Sequence, residues 1–89
     1  HDHLYVVQEK DGIVYHEVPQ PSHRGDNGAQ TAKQWGYVEG TILSSSGHVR
    51  VSVAPTGVTA EYVQAFLPAD ETPSRKNGQV GHSYVIPAP

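Results

Sequence analysis

No cysteine occurs among the 89 residues, so disulfides and thiolate metal sites are both excluded. Apolar residues are scarce at 36%, against roughly 45–50% in an ordinary globular domain, an average that also counts glycine. Charge of one sign is lacking too. Six Lys and Arg stand against nine Asp and Glu, for a formal net charge of −3. The sole adjacent basic pair is Arg75-Lys76, and no basic stripe points to nucleic acid. No run approaches the ~20 consecutive apolar residues of a membrane span, and no signal peptide is visible.

The length suits one domain and not two. A domain of this size buries only roughly 60–65% of the surface its unfolded chain exposes, so its core is thin. Nine Gly and seven Pro assign much of the chain to turns and loops. Either the core is marginal, or part of it comes from a partner or from further sequence. The chain begins at His1 and not at Met, which reads as a processed or partial polypeptide.

What is present is β-prone. Leu4 to Val7 and Ile13 to Val18 are β-branched or aromatic runs on either side of Asp11-Gly12. Asp-Gly suits a type I′ turn because both central residues need positive φ, so residues 4–18 read as a hairpin. Pro19 and Pro21 end the second strand, since proline cannot donate to a ladder. Residues 19–34 form a long polar loop, with room for one helical turn over 29–34. Residues 36–43 read as a strand weakened by Gly40. From His48 to Val53 the alternation is strict, with Val49, Val51 and Val53 on one face, as in a half-buried antiparallel strand. After a turn at Pro55-Thr56-Gly57, residues 58–66 read as a strand in preference to a helix. Residues 67–81 form another polar loop, and Ser83 to Ile86 a last strand before Pro87. The expected fold is mainly β. It has about six antiparallel strands in hairpins, forming a partial sandwich or small open barrel, with long polar loops and little helix.

The densest chemical cluster is His1-Asp2-His3. Two imidazoles at i and i+2 can bind a transition metal from a loop or strand end. The same residues can equally be a disordered terminus or a tag remnant. A free terminal amine with His at position three also chelates Cu(II) or Ni(II) without bearing on function. His16, His23, His48 and His82 are scattered and read as ordinary surface or hydrogen-bonded histidines. Trp35 and Tyr37 read as capping a thin core. Arg24-Gly25-Asp26 is too short a tripeptide to carry an adhesion reading, and Ser44-Ser45-Ser46 has no partners for nucleophilic chemistry.

His1-Asp2-His3-Leu4-Tyr5, Asp11-Gly12-Ile13-Val14-Tyr15 with Val18-Pro19-Gln20-Pro21, Gly47-His48-Val49-Arg50-Val51 and Arg75-Lys76-Asn77-Gly78 occur in that order. Together they resemble the C-terminal segment of bacterial calcineurin-like metallophosphoesterases over nearly the whole chain. The resemblance implies a dinuclear centre of Zn, Mn or Fe in the parent family, to which a Gly-His-x-His loop gives one imidazole per metal. His1 and His3 would be those metal ligands, with Asp2 between them unassigned. His23 and Arg24, in the loop after the hairpin, could then lie on the substrate side, with Arg24 meeting a phosphate bidentately. Members of this kind are often secreted or periplasmic.

The family's Asp-x-His, Gly-Asp, Gly-Asn-His-Asp/Glu and isolated-His motifs lie upstream of the segment that this chain resembles, and the Gly25-Asp26 dipeptide after the hairpin does not stand in for them. Bridging and terminal carboxylates are needed to hold two ions in place, so the isolated chain is expected not to hydrolyse phosphate esters, and it holds those metals or none. Two readings follow. In one, the segment is the metal-motif and β-sheet portion of a metal-dependent phosphoesterase. In the other, it is a small β-rich binding or self-assembly module without catalytic role, a homo-oligomer joined through exposed strand edges. Neither involves nucleic acid or a membrane.

Overall fold

A computed structural model describes residues 4–20, 40–44 and 46–89. They form two three-stranded antiparallel sheets with almost no helix, and neither sheet closes into a barrel. In the first sheet β1 (Leu4–Lys10) lies between β2 (Ile13–Glu17) and β3 (Thr41–Ser44). In the second, β5 (Gly57–Gln64) lies between β4 (Gly47–Ala54) and β6 (Val80–Pro87). The helical expectation at residues 29–34, the Trp35–Tyr37 pair and the start of the expected strand at 36–43 fall outside the described residues. Among those described, that strand runs over Thr41–Ser44 behind a bend at Gly40.

The hairpin expected over residues 4–18 is present. Its turn holds Asp11 at φ 55° and Gly12 at φ 75°, the double positive φ that a two-residue type I′ loop requires. Lys10 faces Ile13 across it, and the register continues to Val6 opposite Glu17. Because side chains alternate across a strand, Tyr5 and Val7 share one face with His16 of β2 and with Thr41 and Leu43 of β3. Leu4 and Val6 take the opposite face, where both are buried and Ile42 packs against them.

The second sheet has the same logic. Val49, Tyr62 and His82 form one row, Val51, Ala60 and Tyr84 the next, and Val53, Val58 and Ile86 the last. All nine share the face that meets the first sheet at the Tyr62 end. The short first sheet covers only that end. Ala60 and Tyr62 are buried, but Val51 is 58% and Val53 79% exposed. The half-buried strand expected over 48–53 therefore alternates as expected, yet its valine face is open over its second half.

Between Ser44 and Gly47 the chain passes from one sheet to the other. A Cβ on Gly47 would stand 2.6 Å from the Tyr62 ring and from the Val63 carbonyl oxygen, so only glycine lets the backbone cross there. The last strand is longer than expected. It starts at Val80 because β6 re-registers by a bulge at Tyr62/Val63, and it includes Pro87, which an edge position tolerates. The loop before it is knit by its own side chains. The Phe66 N–H donates to Asn77 Oδ1 at 3.0 Å, the Asn77 N–H to Glu71 Oε2 at 2.9 Å, and the Arg75 guanidinium stands 5.2 Å over the Phe66 ring.

Candidate functional site

The chemically richest place among the described residues is the joint between the sheets, a cluster of Tyr5, His16, Tyr62, His82 and Tyr84. Tyr5 from β1 and Tyr62 from β5 are both fully buried. Their rings stack at 4.1 Å between centroids and 9° between planes. The Tyr62 hydroxyl donates to the Ser44 carbonyl at 2.8 Å, tying β5 to the end of β3. Burial pushes both phenols up to about 12, with Tyr84 adding to the effect on Tyr5 and Tyr5 to that on Tyr62. Both remain hydroxyls at any physiological pH.

His82 of β6 is held from two strands of the opposite sheet. Its Nδ1 lies 3.2 Å from the Tyr5 hydroxyl and its Nε2 3.4 Å from the Thr41 hydroxyl. A neutral imidazole donates through one nitrogen and accepts at the other, and a hydroxyl can take either complementary role. His16 of β2 sits edge-on to Tyr5 at 4.9 Å. Its Nδ1 lies 2.9 Å from the Tyr84 hydroxyl. Its Nε2 is buried without a hydrogen-bond partner among the described residues. Burial, and then repulsion from His82, lower the His16 pKa below the usual histidine value. A proton on His16 would place a charged N–H where no described residue accepts it.

This arrangement is a clasp. Hydrogen bonds link Tyr5 to His82 and His16 to Tyr84 within it, and none of its groups is positioned as a nucleophile paired with a base and an orienting carboxylate. Among the described residues, no group of three His, Cys, Asp or Glu could hold a metal ion. No helix there is long and apolar enough to cross a membrane. The assigned metal ligands His1 and His3, and the assigned substrate-side residues His23 and Arg24, all lie outside the described residues.

The structure thus brings together two histidines, His16 and His82, that the sequence reading left scattered. The signal was present in the alternation. His82, Tyr84 and Ile86 share one parity of the last strand, and His16 shares the parity of Val14 in β2. Each histidine therefore stands on an inward face where a polar side chain must find a partner. His48, by contrast, is exposed.

Comparison with models of protein families, with curated proteins and with solved structures found no match.

Proposed function

We propose that this chain is the metal-motif and β-sheet portion of a metal-dependent phosphoesterase, with His1 and His3 each giving an imidazole to one of two metal ions. Zn, Mn or Fe are the ions that suit such a centre. The carboxylates that bridge and complete it come from polypeptide outside these 89 residues. A pair of ions held about 3.5–4 Å apart stabilises the attacking and leaving oxygens of an in-line displacement. His23 and Arg24 serve the substrate side, where a guanidinium fork matches two phosphate oxygens.

The observation that supports this reading is the hairpin immediately after His3. Leu4, Tyr5 and Val6 open β1 and are its most deeply buried residues, at 1%, 0% and 3% exposure. Sites built beside well-packed elements of a scaffold are held more accurately than sites on loops.

The test is metal uptake by the purified chain with its terminal amine acetylated, which removes chelation by the amine itself. Calorimetry with Zn²⁺ and Mn²⁺ is expected to show binding that disappears in the His1→Ala/His3→Ala double variant. Equal uptake by the two proteins refutes the ligand assignment. Hydrolysis of an aryl phosphate diester should be absent from the isolated chain. It should appear only when the chain is joined to polypeptide bearing the missing Asp, Asn and His motifs.

A further inference from the structure

The second sheet has one unguarded edge. Strand β6 carries a bulge and ends on Pro87, both of which blunt an edge. Strands β2 and β3 are short, at five and four residues. Strand β4 has eight residues in unbroken register with β5 and no proline. Among the described residues no strand pairs with its other side.

The direction of its free backbone groups follows from two hydrogen bonds at the ends of the sheet. The Ala65 N–H donates to the Ser46 carbonyl at 2.9 Å, which brackets the Gly47–Gln64 pair and makes it a non-hydrogen-bonded one. The Ala88 N–H donates to the Thr56 carbonyl at 3.0 Å. That bond brackets Gly57–Pro87 and turns the groups of Gly57 toward Ala54. Alternation between these two ends sends the N–H and C=O of His48, Arg50, Ser52 and Ala54 into β5. The N–H and C=O of Val49, Val51 and Val53 therefore point outward to the open side.

We propose that β4 pairs antiparallel with β4 of a second copy of this chain, across a two-fold axis at Val51. In that register Val51 faces Val51 of the other copy, and Val49 faces Val53. All three are the residues whose backbone groups point outward, so every pair forms both of its hydrogen bonds. The valine side chains meet on the inner face, where Val51 and Val53 are exposed in the single chain. On the outer face Arg50, bound to Glu61 at 3.0 Å, falls opposite Ser52. Moving the axis to Arg50 would set two guanidiniums directly opposite in the closer kind of pair, and like charges opposite each other destabilise a sheet. The strand is self-complementary in hydrogen-bond direction, in apolar face and in charge, and for this reason the partner is a second copy. The paired edges form a six-stranded sheet whose joined inner faces continue the apolar surface beyond the first sheet. The proposal does not depend on the phosphoesterase reading.

Sedimentation velocity of the chain across the micromolar range tests it. The expected result is a monomer–dimer equilibrium that Val51→Pro shifts to monomer with unchanged far-UV circular dichroism. The Val51 N–H makes no bond to β5, so proline there removes none from the monomer. A wild-type monomer throughout the range overturns the proposal, as does a dimer that a folded Val51→Pro variant retains. Should Val51→Pro fail to fold, Val51→Cys decides, as the chain's sole thiol. Hydrogen-bonded antiparallel pairs stand about 5.5 Å apart at Cα, within the disulfide range. Oxidation is expected to give a covalent dimer from Val51→Cys and not from Val53→Cys, whose counterpart across the axis is Val49. Equal oxidation of the two variants overturns the register.

Discussion

His16 is the side chain whose chemistry is least settled by its neighbours. The titratable groups packed against it are Tyr5 from β1 and His82 and Tyr84 from β6, none of them a carboxylate. Its pKa is lowered on folding, so the unfolded chain binds the proton more readily. The resulting stability is complete above about pH 6.5, the unfolded value. It declines as pH falls from there through the folded value, by at most about 1.4 kcal/mol per pH unit for one proton. Urea midpoints at pH 7.5 and pH 5 should therefore differ more for the wild type than for His16→Gln, and equal differences would contradict this. The two buried phenols act at the other end of the scale. Their pKa values rise on folding to about 12, so the stability they add holds below about pH 10 and is lost as pH climbs toward 12. Tyr62→Phe keeps the stack but removes the hydrogen bond from the Tyr62 hydroxyl to the Ser44 carbonyl. It should cost about 1 kcal/mol, measurable by urea unfolding at pH 7.5. The identity of these residues was readable from the chain. Their meeting was not, because Tyr5 and His82 stand 77 positions apart, and period-2 patterning assigns a residue to a face without saying what that face meets.

Strands and turns were far more legible, because their causes are local. Asp11-Gly12 declared its turn through backbone conformation alone, and the valine alternation over 48–53 declared its strand. Two boundaries moved for reasons a single segment does not carry. Strand β6 starts three residues earlier than read, since Val80 pairs with Val63 once the bulge absorbs the offset. Strand β5 runs from Gly57 to Gln64, and pairing on both sides fixes it as a strand where Ala, Glu and Gln alone favoured a helix. The two glycines separate conformational from steric demand. Gly12 has φ 75° with open space where a Cβ would stand, so Gly12→Ala should cost about 1–2 kcal/mol from backbone strain. At Gly47 a Cβ must displace the Tyr62 ring or the Val63 carbonyl. Gly47→Ala should therefore cost at least the roughly 1–3 kcal/mol of an overpacked core, and it should also weaken the tyrosine stack. Chemical denaturation of both variants checks the order. A larger loss at Gly12 would mean the crossing at Gly47 is looser than described.

Few apolar side chains are buried among the described residues. They are Leu4, Tyr5, Val6, Ala60, Tyr62 and Val63. Natural domains retain about 0.05–0.15 kcal/mol per residue, or roughly 4–13 kcal/mol for a chain of this length. Truncating one large buried aromatic residue removes about 3–5 kcal/mol. Tyr5→Ala should accordingly remove about a quarter or more of that stability and lower the melting temperature by many degrees, and a thermal melt followed by far-UV circular dichroism would show it. A variant that kept a melt within a few degrees of the wild type would mean the joint between the sheets contributes little. Composition, with its low apolar fraction and its many glycines and prolines, carries no information on where a core lies. It could not place the open valine face, because exposure there depends on how short the first sheet is.

The parallel phenols of Tyr5 and Tyr62 carry an optical consequence. Two phenol rings held 4.1 Å apart in nearly parallel planes sit in a fixed asymmetric surrounding, and the near-UV ellipticity of tyrosines so packed vanishes once side-chain packing loosens. Because one chromophore belongs to each sheet, the protein carries a built-in spectroscopic gauge of whether its two halves are engaged, readable without any label.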